Sequence, residues 1–481
     1  MTNNILKFKE KINSAKVAVL GLGISNIPLI RFLCECGVKD ITAYDKFASP
    51  QVISNIEMLK KDNMIKKAVT GEDYLKEIPS EKFDYIFKSP IIRPDVIPLV
   101  KAVEQGACLT SEMELFFELC PCKIYAITGS DGKTTTTTLT YKLLQAHYEG
   151  TDTKVWLGGN IGRPLIDILP EIKAQDAAVL ELSSFQLMTM KKSPDVAVIT
   201  NVTPNHLDVH KDYNEYIEAK TNILNFQKDD GVVVLNAANE ITSGIAAKCI
   251  AQGRKVRLFS VHKKSASEFT ASADGCAFME NGVLKYVSSL NNYNIERAAL
   301  KVPGEFNGEN LLTAVAACAD VITQRDVEKV ATEFSGVPHR CELVRELNGV
   351  KYYNSSIDSS PNRTIQTLSV FDGNVVMIAG GKDKNIPYDD VGPAICAKVK
   401  VLILIGPTSE KIEAAVRACE SFDEKKMKIF HLNNYEDGVK CAYDNALKGD
   451  CVLLSPASTS FDLFRNFEER GNTFKNYVLS L

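Results

Sequence analysis

The stretch Ile124-Tyr125-Ala126-Ile127-Thr128-Gly129-Ser130-Asp131-Gly132-Lys133-Thr134-Thr135 decides how this chain is read. Apolar residues run into two glycines and then a lysine and threonines, the pattern of a buried strand turning into a helix. Such a turn points backbone N–H groups and a helix N-terminus at one spot, which favours a polyphosphate. Lys133 can reach the outer phosphates, and the Thr134 hydroxyl can ligate Mg²⁺. The usual loop has a further glycine six residues before the lysine; Ile127 stands there, so this is a shortened Thr-Gly-x-x-Gly-Lys-Thr form. Behind it Leu139, Leu143 and Leu144 fall at helical spacing. The threonine run is poor helix material, which implies a first turn selected for hydroxyls.

The surroundings bound the class. At 481 residues the chain exceeds the roughly 250–300 residues that one core serves, so several domains are expected. A net charge of −4, from 56 basic and 60 acidic residues, argues against a nucleic-acid or membrane-surface binder. Thirteen cysteines are scattered without a Cys-x-x-Cys pair, so neither zinc nor a disulfide framework is expected. The segment from Met1 to Lys16 lacks the apolar core of a signal peptide. No run approaches the ~18 apolar residues of a membrane span. A cytoplasmic, monomeric protein with reduced thiols is expected.

Three α/β blocks follow from the strand pattern, with expected domains at 1–112, 113–336 and 337–481. The first holds Lys16-Val17-Ala18-Val19-Leu20-Gly21-Leu22-Gly23 and then Asp40-Ile41-Thr42-Ala43-Tyr44-Asp45, a Rossmann-like unit in which Asp45 would bind a ribose hydroxyl. Asn26 stands where a third glycine belongs, so a uridine-nucleotide platform fits better than an NAD site. The second block carries the phosphate loop and the strands Ala177–Leu180, Val196–Thr200 and Val232–Leu235, a mostly parallel sheet with Glu181 and Asn201 at strand ends. Asn281-Gly282 signals a hairpin, expected as a small antiparallel appendage. The third block has strands at Val375–Ala379, Val401–Ile405, Lys428–His431 and Cys451–Leu454, again Rossmann-like.

The motifs after the loop narrow the chemistry. Gly158-Gly159-Asn160-Ile161-Gly162, Leu180-Glu181-Leu182-Ser183-Ser184-Phe185-Gln186, Asn201-Val202-Thr203-Pro204-Asn205-His206-Leu207-Asp208 and Glu218-Ala219-Lys220 succeed one another. With Asn307-Gly308-Glu309-Asn310, Pro338-His339-Arg340 and Gly380-Gly381-Lys382-Asp383-Lys384 this order resembles the Mur ligase family of ATP-dependent amide-forming enzymes. The ending Ser458-Thr459-Ser460-Phe461-Asp462 with Asn466-Phe467-Glu468-Glu469-Arg470-Gly471 is similar to the D-glutamate-adding branch.

The resemblance implies substrates UDP-N-acetylmuramoyl-L-alanine and D-glutamate, with ATP and Mg²⁺, in peptidoglycan precursor synthesis. It implies that Gly129, Asp131, Gly132, Lys133, Thr134 and Thr135 hold the ATP phosphates, and that Asn310 and Arg340 contact the nucleotide. Thr134, Glu181, His206 and Lys220 would serve Mg²⁺, with Lys220 carried as a carbamate; Lys133, His206 and Lys220 would be catalytic. Ile24, Ser25 and Ser89 would cradle UDP, and Asn160, Ser183 and Gln186 would line the muramoyl-alanine arm. Ser359, Lys384, Ser460 and Phe467 would hold D-glutamate. Closure of the third domain onto the second is expected, since Lys384 and Ser460 are remote in sequence from Lys133.

Other readings of the residues stay open. Tyr213, Tyr216, Ile217 and Lys220 equally describe a helix with a surface lysine, and His206 and His210 have the four-residue spacing of a zinc pair, though no glutamate base lies between them. Departures from the family pattern are also visible. In Asn354-Ser355-Ser356-Ile357-Asp358-Ser359-Ser360 the acid expected at Ser355 and the lysine expected at Ile357 are missing, with Asp358 and Arg363 as the nearby groups to compensate. Ile91 replaces a glycine after Ser89-Pro90, and Asn205 replaces an acid before His206.

Overall fold

Short apolar runs between turn residues become parallel strands wherever helices can cover both faces. The computed structural model describes residues 3–205, 209–384 and 386–481. β1 (Lys16–Leu20), β2 (Asp40–Asp45), β3 (Lys67–Thr70), β4 (Tyr85–Lys88) and β5 (Cys108–Thr110) form a parallel sheet of order β3-β2-β1-β4-β5. Strand order reverses between β1 and β4, and on such sheets ligands bind beyond the strand C-termini at the reversal. The glycine turn after β1 is tied down by Asp45, whose Oδ2 accepts the Leu22 N–H at 2.8 Å and whose Oδ1 accepts the Phe47 N–H at 2.9 Å. The acid expected to meet a ribose is thus engaged in shaping the turn.

A second sheet is built from β6 (Lys123–Thr128), β7 (Val155–Gly159), β8 (Ala177–Glu181), β9 (Val196–Ile199), β10 (Val232–Asn236), β11 (Lys255–Ser260), β12 (Gly275–Glu280), β13 (Val283–Ser288) and β14 (Asn292–Glu296). Its order is β14-β13-β12-β11-β10-β9-β6-β8-β7, which puts β6 between β8 and β9. The Asn281-Gly282 hairpin forms with φ of 49° and 81°, the left-handed pair a tight primed turn requires. It is no separate appendage: β12 is parallel to β11 and antiparallel to β13, so the hairpin extends the sheet. Both sheets belong to one compact unit (Met1–Ile295 with Glu309–Val330). One apolar core runs from Val19 and Leu33 through Leu165, Ile166 and Leu169 to Leu180 and Ile199.

The other unit (Glu296–Gly308 with Ala331–Leu481) holds β15 (Glu342–Leu347), β16 (Val350–Asn354), β17 (Val375–Ala379), β18 (Val399–Ile405), β19 (Lys428–Leu432) and β20 (Cys451–Leu454). The order is β15-β16-β20-β17-β18-β19, parallel except for the edge strand β15. Apolar layers cover both faces: Leu402 and Leu453 lie on one, Ile403 and Leu454 on the other.

One buried acid makes stability depend on pH. Glu112 opens the helix Glu112–Leu119, a position where a carboxylate normally gains from the helix dipole. Burial overrides this: Oε1 has no hydrogen-bond partner among the described residues, and burial, reinforced by Asp167, pushes the carboxyl up to about 8. The unfolded value is about 4.3. Between the two the folded chain binds more protons, so stability falls as pH rises through that window and levels off above it. Glu112→Gln should be more stable than the unmodified protein by an amount that grows from about pH 5 to pH 8, reaching the order of a few kcal/mol. Thermal melting across that range measures it; a pH-independent difference would contradict the assignment.

Candidate active site

The chain leaves β6 through Gly129 (φ 146°) and Gly132 (φ 76°) and enters the helix Lys133–His147. Close packing demands glycine at both places. A Cβ at Gly129 would lie 1.9 Å from Thr200 Oγ1, and one at Gly132 would lie 2.5 Å from Asn310 Oδ1. Segments after β9 hold the loop in shape: Asn201 O accepts the Ser130 N–H, and Asn201 Oδ1 the Asp131 N–H, both at 2.9 Å. Ser130 Oγ donates to Thr203 O at 2.9 Å and lies 3.0 Å from the Tyr216 hydroxyl. Asn310 reaches the loop from its own helix, with Oδ1 accepting from Thr136 Oγ1 at 3.2 Å. Two further threonines serve the helix: Thr138 and Thr140 each donate to the carbonyl four residues back, at 2.8 Å. Thr134 stays half-buried at the first turn.

Two lysines meet on one carbonyl. Lys133 Nζ donates to Gly129 O at 3.0 Å and to Ser130 O at 2.9 Å, while Lys220 Nζ donates to the same Gly129 O at 2.6 Å. Lys220 lies on the helix Tyr213–Thr221 and is 2 % exposed, so the surface-lysine reading is excluded. Burial, with the charge of Lys133 adding to it, lowers the Lys220 ammonium to about 6 against the pull of Asp131 and Glu181.

Glu181 ends β8 and is buried. Its Oε1 accepts from Asn160 Nδ2 at 2.8 Å, and Gly159 permits that approach, since a Cβ there would sit 2.2 Å from Glu181 O. Glu181 Oε2 is buried without a hydrogen-bond partner among the described residues. An unpaired buried carboxylate oxygen is costly, and as a hard donor it suits Mg²⁺. No group of three or more His, Cys, Asp or Glu that could hold a metal occurs among the described residues. His206 lies outside the described residues.

Near Glu181 the motif serine and glutamine lock each other. Gln186 Oε1 accepts the Ser183 N–H at 2.9 Å, and Ser183 Oγ accepts the Gln186 N–H at 3.2 Å, a reciprocal helix cap. Of the two histidines at four-residue spacing, His206 lies outside the described residues, while His210 Nε2 lies 3.0 Å from Ser184 Oγ and its ring stacks on Phe185 at 5.3 Å. Arg93, which sequence reasoning missed, joins Glu215 at 2.8 Å and donates to Val209 O at 2.8 Å. That pair holds the Glu215 carboxyl well below the usual carboxylate range. An arginine after Ser89-Pro90 gave no periodic signal for this link. In the first sheet Ser89 N–H donates to Leu20 O at 2.8 Å, Ser25 begins a helix without capping it by its side chain, and Ile24 is 82 % exposed.

In the other unit the motif loops are stitched together. Lys382 and Thr459 form a short antiparallel bridge, which brings the Lys384 and Ser460 segments side by side. Arg470, also missed, is buried; its Nε donates to Ser356 Oγ at 3.0 Å, Nη2 to Ser356 O at 2.8 Å and Nη1 to Ser458 O at 3.0 Å. Ser356 Oγ in turn donates to Phe467 O at 2.8 Å, and the Phe467 ring meets His339 edge-on at 6.0 Å. Ser460 is buried, Ser359 half-buried, and Lys384 and Arg340 exposed. Asp358 does not supply the missing acid at an accessible surface. It is buried, accepts from Ser455 Oγ at 2.8 Å, and has its carboxyl pushed up by burial. Exposed Arg363 donates to Ile357 O at 3.2 Å.

Residues 127–318 match the Mur ligase middle domain, and residues 339–458 match the Mur ligase glutamate ligase domain. Proteins named UDP-N-acetylmuramoylalanine–D-glutamate ligase from Ruminiclostridium cellulolyticum and Acetivibrio thermocellus are each 48 % identical, over the full length of both chains. The one from Clostridium kluyveri is 45 % identical over 99 % of each. Among solved structures, MurF ligase from Thermotoga maritima in complex with ADP aligns over 100 % of both chains with a TM-score of 0.54 at 16 % identity. MurF from Acinetobacter baumannii covers 79 % of this chain and 87 % of its own, with a TM-score of 0.55 at 14 % identity. At such identity these two speak for the fold.

The contact between Gly129 and Thr200 yields a direct test. Gly129→Ala must displace Thr200 or the loop, and is expected to weaken ADP binding by about tenfold or more, read by calorimetry. The circular dichroism spectrum should be unchanged. Unaltered ADP affinity would show that the loop does not form the phosphate cradle.

Proposed function

The chain belongs to the Mur ligase family, and from that premise we propose that it joins D-glutamate to UDP-N-acetylmuramoyl-L-alanine at the expense of ATP, a step of peptidoglycan precursor synthesis. Relatives bearing that activity in their names, 44–48 % identical along the whole chain, support the choice of amino acid. The single observation that carries the chemistry is the meeting of Lys133, Lys220 and the unpaired oxygen of Glu181 around one glycine loop. We read 1–112 as the UDP domain, 113–336 as the ATP domain and 337–481 as the amino-acid domain.

The reaction must bring two anions together, the alanyl carboxylate and the γ-phosphate. Backbone N–H groups of the loop and Lys133 hold the phosphates, with Asn310 and Arg340 on the nucleoside side. Thr134, Glu181 and Lys220, with His206, would hold Mg²⁺; bound there, the ion offsets the charge repulsion of phosphoryl transfer. Lys220, buried beside Lys133, stays largely a neutral amine near pH 7. In that form it can add CO₂ and release a proton, which converts the neutral amine into an anionic oxygen ligand.

Ile24, Ser25 and Ser89 cradle UDP, while Asn160, Ser183 and Gln186 guide the arm. The carboxylate oxygen attacks the γ-phosphorus and ADP departs, leaving an acyl phosphate. The amine of D-glutamate, held by Ser359, Lys384, Ser460 and Phe467, attacks the acyl carbon, loses a proton, and phosphate departs. A monomer in the cytoplasm is part of the reading. Among the described residues no helix is long and apolar enough to cross a membrane, and the cysteines are unpaired thiols.

Phosphate release by the purified protein with ATP, Mg²⁺ and UDP-N-acetylmuramoyl-L-alanine should require D-glutamate. Release that needs L-alanine or a diamino acid instead would move the chain to another branch of the family. Lys220→Ala should lower turnover by at least about a thousandfold, with partial rescue by a short carboxylic acid; full activity without rescue refutes the carbamate.

A further inference from the structure

Among the described residues, the buried basic side chains are Lys88, Lys220, Arg257 and Arg470. The last three have partners. Lys220 donates to Gly129 O at 2.6 Å, Arg257 to Ala316 O at 2.8 Å and to Asp320, and Arg470 to Ser356 and Ser458. Lys88 is the exception. It is 2 % exposed, yet no hydrogen bond or ion pair to its ammonium occurs among the described residues. Lysine is rarely buried unless paired, because removing an ammonium from water costs far more than aliphatic burial returns. The acid that acts on it through space, Glu114, is already engaged, with Oε1 accepting the Lys191 N–H at 2.9 Å and Oε2 accepting from Thr110 Oγ1 at 3.2 Å.

The position of Lys88 in the first sheet is that of a ligand-facing group. It is the last residue of β4 and pairs with Leu20, the last residue of β1. These are the strands between which the sheet order reverses, so Lys88 stands at the mouth of the crevice where such sheets bind nucleotides. The glycine turn after β1 touches the residue that follows it: a Cβ on Gly21 would lie 2.9 Å from Ser89 Cβ. Burial lowers the Lys88 ammonium to about 8, so an anion arriving beside it gains a partner held ready in a low-dielectric site.

We propose that Lys88 is the cation that binds the diphosphate of the nucleotide-sugar substrate at the β1/β4 crevice. This rests on the ligase reading for the identity of the substrate, while the anion-binding role rests on Lys88 itself. A lysine–phosphate contact is charge-assisted and compact, so it serves the diphosphate and leaves the uridine untouched.

The test is calorimetric titration of the full chain with UDP and with uridine. Lys88→Met should weaken UDP by roughly tenfold or more and leave uridine unchanged, while Lys88→Arg, which keeps the charge, should recover much of the loss. The KM for UDP-N-acetylmuramoyl-L-alanine should rise in step, with the KM values for ATP and D-glutamate unmoved. The melting temperature of Lys88→Met should equal or exceed that of the unmodified protein, since a cation without a hydrogen-bond partner is removed from a side chain that is largely buried. Unchanged UDP affinity, or equal losses for UDP and uridine, would overturn the assignment while leaving the ligase reading intact. An unmodified protein that binds neither ligand would overturn both.

Discussion

Two lysine side chains converge on the carbonyl of Gly129, and much of the first unit is arranged to allow it. Lys133 approaches at 3.0 Å from the helix that follows the loop, and Lys220 at 2.6 Å from a helix nearly ninety residues later. Like charges so close would repel. The repulsion is relieved by burying one of them, which lowers its proton affinity and makes it largely neutral near pH 7. On the proposed reading, a phosphate entering the loop would offer Lys133 a better partner than a carbonyl, and a carboxylated Lys220 would turn the remaining repulsion into attraction. The conformation of Gly129 and the absence of a Cβ against Thr200 are therefore conditions of the chemistry.

The same device positions groups at both sheets of that unit. Where strand order changes side, carbonyl ends and helix starts open onto a crevice, and the chain places polar residues there at little cost to its core. At the second sheet these are the loop after β6, Glu181 at the end of β8 and Asn201 after β9. At the first they are Gly21, Ser89 and Lys88. Arg93, Glu215 and His210 tie the segment after β4 to the helix that carries Lys220. The β1/β4 crevice and the loop after β6 are thus parts of one bonded framework, built on a shared apolar core.

The architecture was largely legible in the sequence because its strands are short apolar runs closed by glycine or a polar residue. Asp40–Asp45, Val375–Ala379 and Cys451–Leu454 begin and end as the pattern predicts. Asn281-Gly282 predicts its turn, but no local pattern says that a hairpin will continue a parallel sheet, since that depends on the neighbour β12 finds in space. Site residues were legible where a motif fixes the backbone, as at Gly129 and Gly132. They were illegible where a side chain acts across long sequence separation: Arg93 with Glu215, Arg470 with Ser356, Asp45 with Leu22. Asp358 shows the hazard of proximity in sequence. It lies near the altered positions Ser355 and Ile357, yet its carboxyl faces a buried hydroxyl rather than a ligand surface.

Oxygen transfer shows whether the loop of Gly129–Lys133, with Lys220 and Glu181, activates a carboxylate by phosphorylation. UDP-N-acetylmuramoyl-L-alanine labelled with ¹⁸O in its alanyl carboxylate is turned over with ATP and D-glutamate, and the released phosphate is weighed by mass spectrometry. An acyl phosphate intermediate predicts that a carboxylate ¹⁸O appears in each phosphate formed. Phosphate released without label, in step with amide formation, would contradict the account.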